Sequence, residues 1–210
     1  MTIADVGSAR LRERVVADLS GLPLHGKGNS SVTWWSTMAF MLIEGTGFAL
    51  VLAIYLYLAN LSPEWPIGAP LPDLGPGTWV TIILLISLVP NYLVMRWAEQ
   101  EDLAKLRIAV PIMALFAIVP LIFRVYEFKA LHVWWDSNAY GSITWTLLGL
   151  HATHLITDLI DTLILAVMLF TRHGQNRRRI GDVQDNGLYW YFVVVTWLPI
   201  YGLLYWGPRL

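Results

Sequence analysis

Five long apolar runs constrain this chain more than any other feature of it. A helix needs roughly 20 mainly apolar residues to cross the hydrocarbon layer of a bilayer. Five segments reach that length: about Trp34–Leu61, Thr78–Trp97, Ile108–Tyr126, Tyr140–Thr171 and Leu188–Trp206. Composition agrees, with 56% of the 210 residues hydrophobic and only 14% charged, where a soluble domain carries about 25% charged residues. Eleven tryptophans and nine tyrosines, many near the ends of the runs, fit aromatic belts at the two interfaces. The expected fold is an all-α polytopic membrane protein, a bundle of five transmembrane helices.

Between the runs lie segments with loop chemistry: "SPEWPIGAPLPDLGPG", "AEQEDLAKLR", "EFKALHVWWDSN" and "RHGQNRRRIGDVQDNG". Residues 1–33 read as an N-terminal tail and 34–210 as one membrane domain, without internal repeat or low-complexity segment. The tail has no apolar core of signal-peptide length, so no cleaved secretory signal is expected. A short amphipathic helix over about Ala9–Leu19 and a solvated tail are both compatible with it. Pro90, Pro111, Pro120 and Pro199 fall within spans and are expected to kink them.

Composition also excludes chemistry. With no cysteine, disulfides, thiolate metal sites, c-type haem attachment and cysteine-ligated copper are ruled out. A formal net charge of −1 gives no basic surface for nucleic acid.

Ionisable groups deep in a bilayer cost about 3 kcal/mol each, so those that occur there face other protein groups and mark candidate sites. Glu44 lies near the middle of the first run, between Ile43 and Gly45, with Gly47 close by. The two glycines leave room for a neighbouring helix or a lipid chain. Its plainest reading is a carboxyl group hydrogen-bonded across helices. The stretch "GLHATHLITDLID" adds His151, His154, Asp158 and Asp161. At about 100° per residue these four fall within an arc of about 80°, one polar stripe on one helix face. A metal site would draw ligands from several helices, with Glu44 and Glu127 as further carboxylates. Yet the Glu-x-x-His pattern of di-metal bundles is absent. A contact stripe against another helix is favoured over a metal, and no metal site is expected. His25, His132 and His173 fall in tail or loops. Two intramembrane histidines are too few for a catalytic core that holds haems and copper within its spans.

From Trp34 onward the chain resembles subunit III of the haem-copper terminal oxidases, the cytochrome c oxidase family, in its short five-helix form. "MLIEGTGFALVLAIYLYL" is similar to the family's Ser-Glu-x-x-Phe-Phe helix, with Glu44 on the family glutamate. "EDLAKLRI" sits where the family has a short charged inside loop. "VYEFKALHVWWDSNAYGSITWTLLGLHATHL" places Glu127, Asp136, Tyr140, Gly141, Ser142, His151 and His154 on family positions. "GLYWYFVVVTWLPIYGLLYW" looks like the closing helix. In that helix Tyr191 and Val194 stand where the family has His and Asp, while Asp158 and Asp161 replace residues that are usually apolar, as if a polar contact had moved from the fifth helix to the fourth.

The resemblance implies a non-catalytic subunit of a proton-translocating oxidoreductase in a bacterial plasma membrane. It implies no haem or copper in this chain, these being held by partner subunits I and II. It also implies bound phospholipid and support of proton uptake. No catalytic residue is expected; Glu44, Glu127, His151, His154, Asp158 and Asp161 are the candidate residues for structural, lipid-binding or proton-related roles. Long members have seven spans, with a lipid-filled cleft between the first two and the rest; five spans leave one wall of that cleft to lipid or another chain. Three other readings stand beside it. One is the accessory subunit of a quinol oxidase or nitric oxide reductase. Another is a membrane metalloenzyme using His151, His154, Asp158, Glu44 and Glu127. The third is a small transporter, which would call for an inverted repeat that the sequence does not show.

Lysine and arginine set the expected orientation. Counting the N-terminal tail and then alternate connections, eleven lie on one side: Arg10, Arg12, Arg14, Lys27, Arg96, Lys105, Arg107, Arg172, Arg177, Arg178 and Arg179. Only Arg124, Lys129 and Arg209 lie on the other. The N-terminus is therefore expected in the cytoplasm and the C-terminus outside. Topology reporters fused to either end should read cytoplasmic at residue 1 and external at residue 210; a cytoplasmic C-terminus would contradict the assignment.

Overall fold

A computed structural model of the chain describes residues 31–171 and 177–209, with no side-chain placement for Arg177 and Arg178. The expected helix over Ala9–Leu19, the basic residues of the tail, and Arg172 and His173 lie outside the described residues. The described residues form five helices: α1 Val32–Leu61, α2 Leu74–Glu99, α3 Leu103–Lys129, α4 Ala139–Phe170 and α5 Arg177–Tyr201. α5 continues through a π turn, Gly202–Trp206, and a 3-10 turn, Gly207–Arg209. All five are long and apolar enough to cross a membrane. The chain is a multi-pass membrane protein.

α2, α3, α4 and α5 close into a four-membered bundle, and α1 leans on α4 and α5 from outside. α1 buries only Phe48 and Tyr55, so most of its surface faces outward. α4 touches α1, α3 and α5, and α5 touches α1, α2 and α4.

The helices start and stop for local reasons. Leu74 opens α2 two residues before Pro76, a position at which proline costs no helical hydrogen bond. Asp102 caps α3, accepting the Lys105 backbone N–H at 3.2 Å and the Lys105 ammonium at 2.7 Å. That ammonium, and after it the backbone N–H, holds the Asp102 carboxyl below its usual range. Asn138 caps α4 through the Gly141 N–H at 2.8 Å. Gly141 has to be small, because a Cβ there would lie 2.2 Å from the Trp134 carbonyl oxygen.

α2, α3 and α5 each continue as helix through Pro90, Pro111, Pro120 and Pro199. One expectation changes. The segment expected as the fourth loop is helical from Arg177 through Gly187. Arg179 pairs with Asp182 at 2.9 Å one turn on. Gly187, which reads as a helix breaker, is a packing residue: its missing Cβ would sit 2.7 Å from Met95 Cγ and 3.2 Å from Asn91 Oδ1.

That close approach anchors an antiparallel series of polar contacts between α2 and α5. Asn91 Nδ2 donates to the Gly187 carbonyl, the Trp190 indole N–H to Ser87 Oγ, and the Trp197 indole N–H to Thr81 Oγ1; Thr78 Oγ1 meets the Tyr201 hydroxyl, each at 2.8 Å. Along the series the α2 number falls as the α5 number rises, which fixes the register of the two helices. Hydrogen bonds between membrane helices are worth about 1 kcal/mol each. Asn91→Ala should therefore lower the unfolding free energy by about 1 kcal/mol, read as a lower melting temperature of the purified protein in mild detergent. An unchanged melting temperature would mean that this contact carries no register energy.

Candidate functional site

The polar stripe foreseen on α4 is present, but its four members do not share one partner. α4 touches α1, α3 and α5, and between them the members of the stripe meet all three.

His151 is fully buried and points toward α3 and α5. Its Nε2 lies 3.0 Å from the Val193 carbonyl oxygen, which can only accept, so Nε2 carries the proton. Nδ1 then accepts from Arg124 Nη2 at 2.9 Å. Arg124 Nη1 donates to Glu127 Oε2 at 2.5 Å, and the Tyr205 hydroxyl donates to Glu127 Oε1 at 2.5 Å. The guanidinium also lies 4.3 Å from the Trp197 ring centroid, a cation–π contact. Tyr205 reaches this position because residue 77 is glycine: a Cβ there would come within 2.5 Å of the phenol ring. The result is a buried network across α3, α4 and α5, with Arg124, Glu127 and His151 all at most 2% exposed. Glu127, expected in the third loop, is instead a core residue of α3, because its carboxylate has an arginine one turn before it and a tyrosine from α5 to receive it.

His154 faces the opposite neighbour. Its Nδ1 donates to the Leu150 carbonyl at 2.6 Å, and Nε2 lies 3.0 Å from Glu44 Oε1. That approach is within ion-pair distance but does not have hydrogen-bond geometry. The Tyr189 hydroxyl donates to Glu44 Oε2 at 2.8 Å. Glu44 thus joins α1 to both α4 and α5. Of its neighbouring glycines, Gly45 faces the Phe192 ring, while Gly47 has open space around it.

Asp158 and Asp161 share one partner on α5. Asn186 Nδ2 lies 3.3 Å from Asp158 Oδ1 and 3.2 Å from Asp161 Oδ2, and Thr162 Oγ1 donates to Asn186 Oδ1 at 3.2 Å. Asp158 is buried; Asp161 is exposed at the edge of a cleft of about 600 Å³. The cleft separates the first turns of α1 from α4 and α5, and Glu44, His154, Asp182 and Asp185 also line it.

Among the described residues, no group of three or more His, Asp or Glu side chains is arranged to hold a metal ion. The five residues of the metalloenzyme reading diverge: His151 and Glu127 belong to the Arg124 network, His154 and Glu44 to the α1 contact, and Asp158 to Asn186. Sequence reasoning missed Arg124, which it counted as a loop charge, although an arginine and a glutamate three apart near the end of a span were a usable signal. It also missed Tyr205, Tyr189 and Asn186, for which the sequence carries no comparable mark.

No family model matches the chain. Curated relatives do, over most of its length. A protein named cytochrome c oxidase subunit 3 from Synechocystis is 29% identical over 86% of this chain and 78% of its own. One of the same name from Alkalihalophilus pseudofirmus is 26% identical over 88% of this chain and 93% of its own. The chain is similar to cytochrome c oxidase subunit 3 proteins over most of its length. A third relative, named heme-copper oxidase subunit I+III, from Aeropyrum pernix, is 24% identical over 79% of this chain, a match that takes up 22% of that longer protein. Against the subunit 3 pattern, Val194 is a buried apolar residue where the pattern has an aspartate. Here α5 meets the carboxylates of α4 through Asn186.

Breaking a buried ion pair by removing one partner costs about 3–5 kcal/mol, whereas replacing both with apolar groups of similar volume is close to neutral. Arg124→Met and Glu127→Leu should each lower the melting temperature markedly, and the double variant should be more stable than either single one. Additive losses in the double variant would show that the pair is not coupled.

Proposed function

We propose that this chain is the non-catalytic subunit III of a haem-copper terminal oxidase of the cytochrome c oxidase type, multi-pass in a bacterial plasma membrane. The observation that carries the reading is the match to subunit 3 proteins over nearly nine-tenths of the chain. It takes in the helices that hold Glu44, Glu127, His151 and His154. The relative whose name joins subunits I and III in one protein supports packing beside the catalytic subunit I, with subunit II completing the complex. In this reading haem and copper belong to the partner subunits. This chain stabilises the catalytic subunit, holds phospholipid and supports proton uptake from the cytoplasmic side.

The site residues then act as ties between helices. Glu44 is the most informative, because it links the loosely packed α1 to the bundle. In Glu44→Gln the amide oxygen still accepts from Tyr189 and the amide N–H can donate to His154 Nε2, so both contacts survive. Glu44→Ala removes the carboxylate that faces His154 Nε2 and accepts from the Tyr189 hydroxyl, a cost of about 1–3 kcal/mol.

The test is a time course of oxygen consumption by the purified complex, with subunit content measured before and after. Both variants are expected to start near the wild-type rate. The Ala variant should lose activity faster during sustained turnover, or shed this subunit on detergent washing. An immediate collapse of the initial rate in the Gln variant, with the subunit still bound, would mean that Glu44 carries protons itself and would overturn the structural role.

A further inference from the structure

The outward face of the α2–α3 hairpin holds a groove that none of the contacts described so far uses. It encloses about 200 Å³. Its walls are Pro90, Leu93 and Trp97 of α2 and Ile108, Ala109 and Ile112 of α3, with Lys105 at the rim. The space exists because Ala109 offers one methyl group where a larger side chain would close the seam. It begins at Trp97, two residues before the end of α2, and reaches Pro90, seven residues further in and so about 10 Å deeper. In a chain whose five helices each span the bilayer, that depth is hydrocarbon.

The chemistry changes sharply at the mouth. Lys105 is half exposed; its ammonium lies 2.7 Å from Asp102 and 5.9 Å from the centroid of the Trp97 ring. An ammonium has three donors, and Asp102 takes one of them. Trp97 and Lys105 are residue types that settle at the headgroup level. The mouth lies at the same end of the bundle as the start of α1.

We propose that this groove seats one acyl chain of a phospholipid from the leaflet on the N-terminal side, with the lipid phosphate held by Lys105. A helix is about 10–12 Å across with its side chains, too wide for a slot of this size. A single side chain from a neighbouring protein would fill the slot and make no use of the cation at its mouth. Asp102 pairs with Lys105 at the mouth, so together the two carry no net charge. Recognition then falls on the phosphate common to zwitterionic and anionic lipids, not on a net negative headgroup. The proposal rests on the chain's place in the membrane and is independent of its assignment to an oxidase.

The experiment is native mass spectrometry of the protein extracted with its partners in mild detergent, counting phospholipid per chain. Two variants are compared with wild type. Lys105→Gln removes the cation, and Ile108→Trp puts a ring into the groove from a position that is 67% exposed and outside the core. Each variant should retain one phospholipid fewer than wild type. Adding back either phosphatidylethanolamine or phosphatidylglycerol should restore the count in delipidated wild type and leave Ile108→Trp one short. A photo-crosslinking residue at Ile112 should form adducts with lipid. Wild-type lipid counts in both variants would overturn the proposal, as would a crosslink from position 112 to another protein. Restoration by phosphatidylglycerol alone would overturn the phosphate as the recognised group.

Discussion

Hydrocarbon offers no hydrogen-bond partner, so each polar side chain this protein carries below the headgroups needs one inside the molecule. The arrangement of helices follows from how that demand is met. Arg124 and Glu127 cannot stand alone within α3, and together they require His151 from α4 and Tyr205 from α5. Those contacts draw three helices to one point. The α2–α5 series then sets the fourth wall through Thr78, Thr81, Ser87 and Asn91. Apolar packing fills the space between these ties, but Leu, Ile and Val pack against lipid nearly as well as against each other, and apolar area alone would not select one neighbour over another.

α1 shows the other limit. It buries two residues, Phe48 and Tyr55, and its main polar tie is Glu44 with His154 and Tyr189. A helix held so lightly can stand beside a cleft without disturbing the four-helix core, and the cleft lined by Asp161, Asp182 and Asp185 opens on that side. The division between a tight bundle and a leaning helix suits a subunit whose work is to support a neighbour.

Much of this was legible in the sequence, and the reasons for the remainder are physical. The five spans are read directly from apolar length, since the bilayer fixes that length. Glu44, His151, His154 and Asp158 stand out because ionisable groups are rare at that depth. Their partners do not stand out in the same way. Tyr189 and Tyr205 are ordinary residues in a chain rich in tyrosine, and only the fold aims them at carboxylates. The α4 stripe was placed correctly on one face, but an arc of about 80° that climbs ten residues, about 15 Å, passes three neighbouring helices. Angular reasoning on one helix cannot tell one neighbour from another. Gly187 misled in the opposite direction: glycine marks a break in most sequences, yet here it marks a close approach of α5 to Met95 and Asn91.

In the proposed role this chain supports a redox centre held by a partner subunit. Affinity purification of the tagged chain in mild detergent, followed by subunit identification and haem and copper analysis, tests it most directly. The account predicts that a haem- and copper-bearing oxidase subunit I co-purifies in equal amount, and that the chain released from it carries neither metal. Purification of the chain without such a partner, or near-stoichiometric iron or copper remaining on the released chain, would contradict it.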